Sequence, residues 1–191
     1  MDFVIAIPSY RRAGMIEAKT LALLDRHGIS RDCIHIFVAN GNENNTYRDT
    51  LGEGWKHIVT GVPGLWRQRN FITAYFPEGT YIVSLDDDVE DILRLYGDPN
   101  RNRVRKPLHA GGLVDIINDA RMKMEEYGIN LWSLNTSSNV RDMGHTLTYS
   151  WGLCNGFFWG CLNRKSSDLR LLRGDGHEDF ERTCRFWRPR R

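Results

Sequence analysis

The chain has 191 residues, 41% of them hydrophobic, and a formal net charge of +2. That is enough for one sizeable core, and too little net charge to mark a nucleic-acid or membrane-surface binder on its own. No apolar run approaches the roughly 20 residues a membrane helix needs, so no membrane partner is expected.

Residues 3–7 form an apolar strand that starts without a basic leader, and a cytoplasmic location is expected. That strand ends at Pro8-Ser9-Tyr10-Arg11-Arg12, and a helix is predicted over 15–26, stopped by Gly28. A second strand over 34–39 leads into a polar stretch, 40–45, suited to turns. A short strand at 57–59 runs to Gly61-Val62-Pro63-Gly64, and a helix follows over 65–75. The next strand, 81–83, delivers Ser84-Leu85-Asp86-Asp87-Asp88-Val89. The alternation predicts an α/β sandwich with a mainly parallel sheet, in which ligands gather beyond the carboxyl ends of strands. Three polar clusters, 9–12, 40–44 and 86–88, fall at such ends.

The second half changes character. A short helix is predicted over 91–95, then a polar, basic loop over 98–107. A helix over 113–127 carries apolar residues at Leu113, Ile116, Ile117, Ala120 and Met124 and stops at Gly128. Strands are predicted at 131–134, 147–151 and 156–162, the last with glycines that admit a close neighbour. Trp151, Phe157, Phe158 and Trp159 read first as core, with room for one or two to face a substrate. Cys33, Cys154, Cys161 and Cys184 lack zinc-pair spacing and read as reduced thiols, mostly core fillers. Arg101, Arg103, Arg105 and Lys106 form one basic cluster, and Arg185, Arg188, Arg190 and Arg191 another.

Two motifs carry chemistry. Three adjacent carboxylates where a strand leaves the core repel one another and lose hydration. A hard divalent cation, Mg²⁺ or Mn²⁺, offsets that cost and keeps positions open for substrate phosphates. A solvated acidic turn is the competing reading of the same residues. The second motif is Gly174-Asp175-Gly176-His177-Glu178-Asp179, a glycine turn entering a helix. Acids there are favoured by the helix dipole. Two adjacent carboxylates also suit general-base work, one taking a proton and the other orienting the hydroxyl.

In their order, Ile7-Pro8-Ser9-Tyr10-Arg11, the stretch from Gly64 to Arg69-Asn70, Asp86-Asp87-Asp88 and Glu178-Asp179 resemble the GT-A glycosyltransferases over almost the whole chain. More narrowly, the chain is similar to small phage glycosyltransferases associated with TET/JBP-type base-oxidising enzymes. That resemblance implies a GT-A-like (Rossmann-like) αβα sandwich over 1–191, with a nucleotide-sugar half (1–90) and a C-terminal acceptor-side extension (91–191). It implies an inverting hexosyltransferase that uses Mn²⁺ or Mg²⁺ and a nucleotide-sugar donor, with UDP as the expected nucleotide. The implied acceptor is DNA carrying 5-hydroxymethylcytosine, in the host cytoplasm if the chain is phage-encoded.

The resemblance also implies roles by position. Pro8, Ser9, Tyr10 and Arg11 would cradle base and ribose, with Asn40 and Glu43 near the uracil. Arg69 would approach the phosphates, Asn70 would support its loop, and Asp87 would face the sugar or ribose. Asp86 and Asp88 would hold the metal, and Asp179 would act as base beside Glu178. Arg103, Arg105, Lys106, Trp159 and His177 would face the acceptor. The family often supplies a further His ligand after the acidic pair; here no His follows Asp179 and Glu181 is the only acid. Three other readings stay open: a glycosyltransferase acting on glycan or protein, a nucleotidyltransferase, and a non-catalytic nucleic-acid-binding module. For the nucleotidyltransferase, Arg11-Arg12-Ala13-Gly14 is a thin version of the phosphate loop.

Overall fold

The computed structural model describes residues 2–97, 102–144, 146–148, 152–172 and 176–187. A six-stranded sheet runs in the order β3 (Ile58–Thr60), β2 (Ile34–Val38), β1 (Val4–Pro8), β4 (Tyr81–Leu85), β8 (Phe158–Leu162), β7 (Leu131–Ser133). The first four strands are parallel; β8 is antiparallel to both β4 and β7. The α/β, Rossmann-like class with a mainly parallel sheet is therefore as expected.

Alternating side chains give the sheet two apolar faces. Ile5, Ile7, Ile36, Val38, Val83 and Leu85 point to one, covered by α1 (Ala13–Ile16), α2 (Ala22–Arg26), α3 (Gly41–Leu51) and α5 (Gly112–Tyr127). Ala6, Phe37, Ile82, Trp159 and Cys161 point to the other, against α4 (Leu65–Tyr75) and Phe186 of α6 (Glu178–Trp187). The result is a helix–sheet–helix sandwich. At its edge Gly160 lies opposite Trp132, and a Cβ there would come within 2.5 Å of the indole nitrogen. The close neighbour admitted by this glycine is a side chain of the adjoining strand.

Four local expectations are corrected. The polar stretch 40–45 opens helix α3. Asn40 caps it by accepting the Glu43 N–H at 3.0 Å, and Tyr47 and Leu51, four residues apart, bury the inward stripe. Residues 91–95 are not helical: β5 (Leu93–Tyr96) pairs antiparallel with β6 (Val104–Pro107), so part of the basic loop is strand. Period two decides it, with Leu95 buried between Arg94 and Tyr96 at the surface. Residues 147–148 form no strand, and 149–151, with Trp151, lie outside the described residues. The first helix is interrupted by a π-helical turn, Glu17–Leu21, between α1 and α2.

Candidate active site

Because β1, β2 and β4 are parallel, their carboxyl ends meet at one edge, and Asp86 is the first residue beyond β4. Its N–H donates to the Phe157 carbonyl at 2.9 Å. The π-helical turn supplies a second anchor. Thr20 Oγ1 donates to the Asp86 carbonyl at 2.8 Å and accepts the Val89 N–H at 2.9 Å, closing the aspartate loop. Such turns recur beside functional sites.

Asp87, expected to face the sugar or ribose, instead turns inward and is 6% exposed, as is Ser9, expected at the base and ribose. A relay of donors ends on Asp87. The Arg12 N–H donates to the Tyr47 hydroxyl at 3.0 Å, the hydroxyls of Tyr47 and Ser9 lie 2.6 Å apart, and Ser9 Oγ donates to Asp87 Oδ2 at 2.6 Å. Burial pushes the Tyr47 phenol up from its ordinary value, which keeps it neutral and able to donate. The Arg12 guanidinium meets Asp87 Oδ1 at 3.0 Å and Asp88 Oδ2 at 3.2 Å.

Asp86 faces the other way. Its side chain is 40% exposed, and its Oδ1 takes the buried Arg69 Nη2 at 3.0 Å. Arg69 also donates through Nη1 to Ser84 Oγ, which donates on to the Ala6 carbonyl at 3.1 Å. Crowding by protein raises the Asp86 carboxyl above its ordinary value; Arg69 opposes that, and the charges of Asp88 and Asp179 raise it further. Asp179, at the start of α6, is therefore within electrostatic reach of Asp86.

Asp179 is held at both oxygens: Oδ2 accepts the Gly156 N–H at 2.8 Å, and Oδ1 pairs with Arg182. Gly156 has φ 92°, and a Cβ there would lie 2.1 Å from Thr136 Cγ2, so no other residue presents that N–H without a rearrangement. Glu178, buried in the same turn, has no ion pair among the described residues.

The other expected residues divide. Pro8 closes β1 opposite Phe37. Tyr10 is 52% exposed, with the Arg11 guanidinium 4.9 Å from its ring centroid. Arg11 has φ 56°, an uncommon conformation for a residue with a side chain, and its N–H donates to Glu43 Oε2 at 2.8 Å. Asn40 and Glu43 thus both make internal hydrogen bonds at this edge, and Asn70 holds Leu171 through both ends of its amide. Arg103 and Arg105 donate to carbonyls within 138–143, while Lys106 lies 5.9 Å from the Tyr96 ring centroid. His177 is exposed, and its carbonyl accepts the Glu181 N–H at 3.0 Å.

Trp159 is a correction. It is 6% exposed on the α4/α6 face of β8, with Arg182 and Arg69 guanidiniums 3.8 and 5.2 Å from its ring centroid. It cannot stack on an acceptor from there. Arg101, Arg188, Arg190 and Arg191 lie outside the described residues.

Thr20, Tyr47 and Arg182 escaped the sequence reading, and Arg12 entered it only as part of the 9–12 cluster and the thin phosphate loop. Arg182 had a local signal, three residues after Asp179 on one helix face. The contacts of Thr20 and Tyr47 cross 66 and 38 positions, which no local pattern reveals.

The donor set suits a hard cation. Among the described residues no three His, Cys, Asp or Glu converge to hold a metal unaided. Asp86 and Asp88 are partly exposed, and Arg69 and Arg12 each engage one oxygen, leaving Asp86 Oδ2 and Asp88 Oδ1 without an ion pair among the described residues. Two carboxylates completed by phosphate and water oxygens are an ordinary Mg²⁺ arrangement.

No protein-family model and no curated protein matches the chain. Among solved structures, the crystal structure of S. aureus TarS 1-349 matches over 69% of this chain and 34% of its own, at 15% identity and a TM-score of 0.36. The chain thus spans about a third of that neighbour's length. A likeness so distant carries no inference about the reaction.

Proposed function

We propose that the chain is a metal-dependent glycosyltransferase, moving a sugar from a nucleoside-diphosphate sugar to a hydroxyl. One observation carries this reading. Asp86, just beyond the end of β4, is held by Arg69 and feels both Asp88 and Asp179, so the strand-end acids and the first turn of α6 share one neighbourhood.

The chain's own groups then have distinct tasks. Tyr10 offers an exposed ring beside the strand ends, suited to a nucleotide base. Asp86 and Asp88 would hold Mn²⁺ or Mg²⁺, which when bound neutralises charge on the departing diphosphate. Asp87, fixed by Ser9 and Arg12, sets the loop's shape. The acceptor oxygen attacks the anomeric carbon, the bond to the diphosphate oxygen breaks with its electron pair, and Asp179 takes the hydroxyl proton. The sugar is inverted.

For the acceptor we infer DNA with a hydroxymethylated pyrimidine. The sequence resemblance supports it, as does the β5–β6 ribbon. There Arg94 and Lys106 face each other across the strands, both cations beside Tyr96, with no acid opposite either among the described residues. Like charges so paired are unfavourable unless an anion joins them, and DNA phosphates would do so.

The test is to incubate the protein with labelled nucleotide sugars, with and without Mn²⁺, then with hydroxymethylcytosine DNA, cytosine DNA and simple sugars. A Mn²⁺-dependent hexose mass gain confined to the hydroxymethylated base is expected. Transfer to sugars or peptides alone would overturn the acceptor, and no turnover of any donor would overturn the class.

A further inference from the structure

Behind the aspartate loop lies a cavity of about 40 Å³ lined by Arg69, Asn70, Thr73, Trp159, Asn163 and Arg182, among others. It runs along the α4/α6 face of β8, from Trp159, opposite Ser84, to Asn163, whose N–H bonds the Thr80 carbonyl ahead of β4. That course leads away from the carboxyl edge, so the cavity lies behind the candidate active site and shares Arg69 and Arg182 with it. We propose that it binds a small monovalent anion of halide size, held by Arg69, Arg182 and Trp159.

The cavity wall offers donors and few free acceptors. Arg69 Nε, Arg182 Nε, Arg182 Nη1 and Trp159 Nε1 are fully buried and have no hydrogen-bond partner among the described residues. Both guanidiniums are nearly solvent-free, at 6% and 4% exposure. Three further groups of the wall are already engaged: the Asn70 amide with Leu171, Thr73 Oγ1 with the Arg69 carbonyl, and Asn163 Nδ2 with the carbonyls of Thr73, Phe76 and Pro77. The four orphaned atoms are all donors. A water would accept at most two of them and bring two protons needing acceptors of their own. A halide accepts from every side and donates nothing. Two buried cations over one indole ring also favour negative charge, and burial together with Arg69 holds the Arg182 guanidinium below its ordinary value. The volume has room for one such ion and too little for a nucleotide.

The site has a consequence that rests on the transferase reading. The outer nitrogens of the same arginines hold Asp86 and Asp179. An ion on the inner nitrogens would fix both guanidiniums, and with them the carboxylates assigned to metal and base.

Binding is tested without reference to activity. Crystals grown in sodium bromide should show an anomalous peak in the cavity, within hydrogen-bonding distance of Arg69 or Arg182. At constant ionic strength, Tm should rise with each tenfold increase in bromide and stay flat in gluconate, which is too large to enter. Trp159→Phe keeps an aromatic ring and removes one donor, so its bromide dependence should shrink. Ordered water alone in bromide-grown crystals would overturn the proposal. So would a peak with no bromide dependence of Tm, the mark of an adventitious ion only. A protein that binds bromide here and transfers no sugar would sink the transferase reading and leave the anion site standing.

Discussion

Residues 2–97 place their charges from strand ends, whereas residues 102–187 place them from loops and one helix. In the first region β1, β2 and β4 stop at a common edge, and Ser9, Arg12, Tyr47 and Asp87 interlock across it. In the second, Asp179 depends on one glycine N–H and one arginine three residues away. The same contrast appears inside the aspartate triplet. Asp87 is a buried acid met by an exposed arginine, and Asp86 an exposed acid met by a buried arginine. The first arrangement shapes the loop; the second leaves a carboxylate facing outward for a ligand. Strand ends thus brace the acidic edge through contacts distant in sequence, and helix α6 brings Asp179 to it through one glycine N–H and an arginine one turn away.

The comparison is broken most completely at the outward acids. Asp88→Ala, and more weakly Asp86→Ala, should abolish Mn²⁺-dependent binding of a nucleoside diphosphate while the fold persists, because each removes an oxygen ligand from a set of two. Calorimetric titration with UDP and Mn²⁺ reads this directly, and wild-type affinity in both variants would end the assignment. Next comes the base. Asp179→Asn should lower turnover by roughly two to four orders of magnitude with donor binding kept. If Glu178→Gln carries the loss instead, Glu178 is the base and Asp179 its support.

Much of the first region was legible. Near-continuous apolar runs and a glycine stop marked β1, β2, β4 and the helical segment after β1, because those strands are buried on both faces of the sheet and the helix covers one of them. The stretch 40–51 misled because its opening is all polar, and only the Asn40 cap and the Tyr47–Leu51 stripe betray a helix. The second region read less well. Its strands are short, β6 is exposed throughout, and a ribbon such as β5–β6 has little core to impose a pattern. At the site, the acids could be read because charge at a strand exit is conspicuous. Their partners could not, since Thr20 and Tyr47 look like ordinary helix residues until the chain folds back.

A smaller effect separates the regions by pH. His35, on β2, is held down to about 4 by burial and by the neighbouring His57, whose ring stacks on it at 4.3 Å. The unfolded chain takes up that proton near 6.5, the folded one near 4, so stability is complete above 6.5 and falls as pH drops towards 4. The loss is on the order of 3 kcal/mol by the lower limit. Urea unfolding at pH 7 and pH 4.5 measures it, and His35→Phe should remove most of the slope. An unchanged slope would show that the strand region does not set acid sensitivity.

The smallest expected effect tests whether the donor edge is rigid by construction. Thr20 is fully buried and serves two backbone groups of the aspartate loop at once, donating to the Asp86 carbonyl and accepting the Val89 N–H. Thr20→Val keeps the shape and removes both bonds, leaving two backbone groups without this partner at about 1–3 kcal/mol for each one that stays unsatisfied. The loop can shift to recover part of this, so a net destabilisation of about 2 kcal/mol is expected. The informative readout is local. Hydrogen exchange should accelerate at Val89 and Asp86 more than at Gly156 or along α6, and UDP affinity with Mn²⁺ should weaken as Asp86 and Asp88 lose their fixed spacing. If Thr20→Val lowers global stability by that amount but leaves exchange at 86–89 and UDP affinity as in the wild type, the loop is held by the Arg12 and Ser9 contacts to Asp87 alone. The π-helical turn would then be only a packing feature of the core.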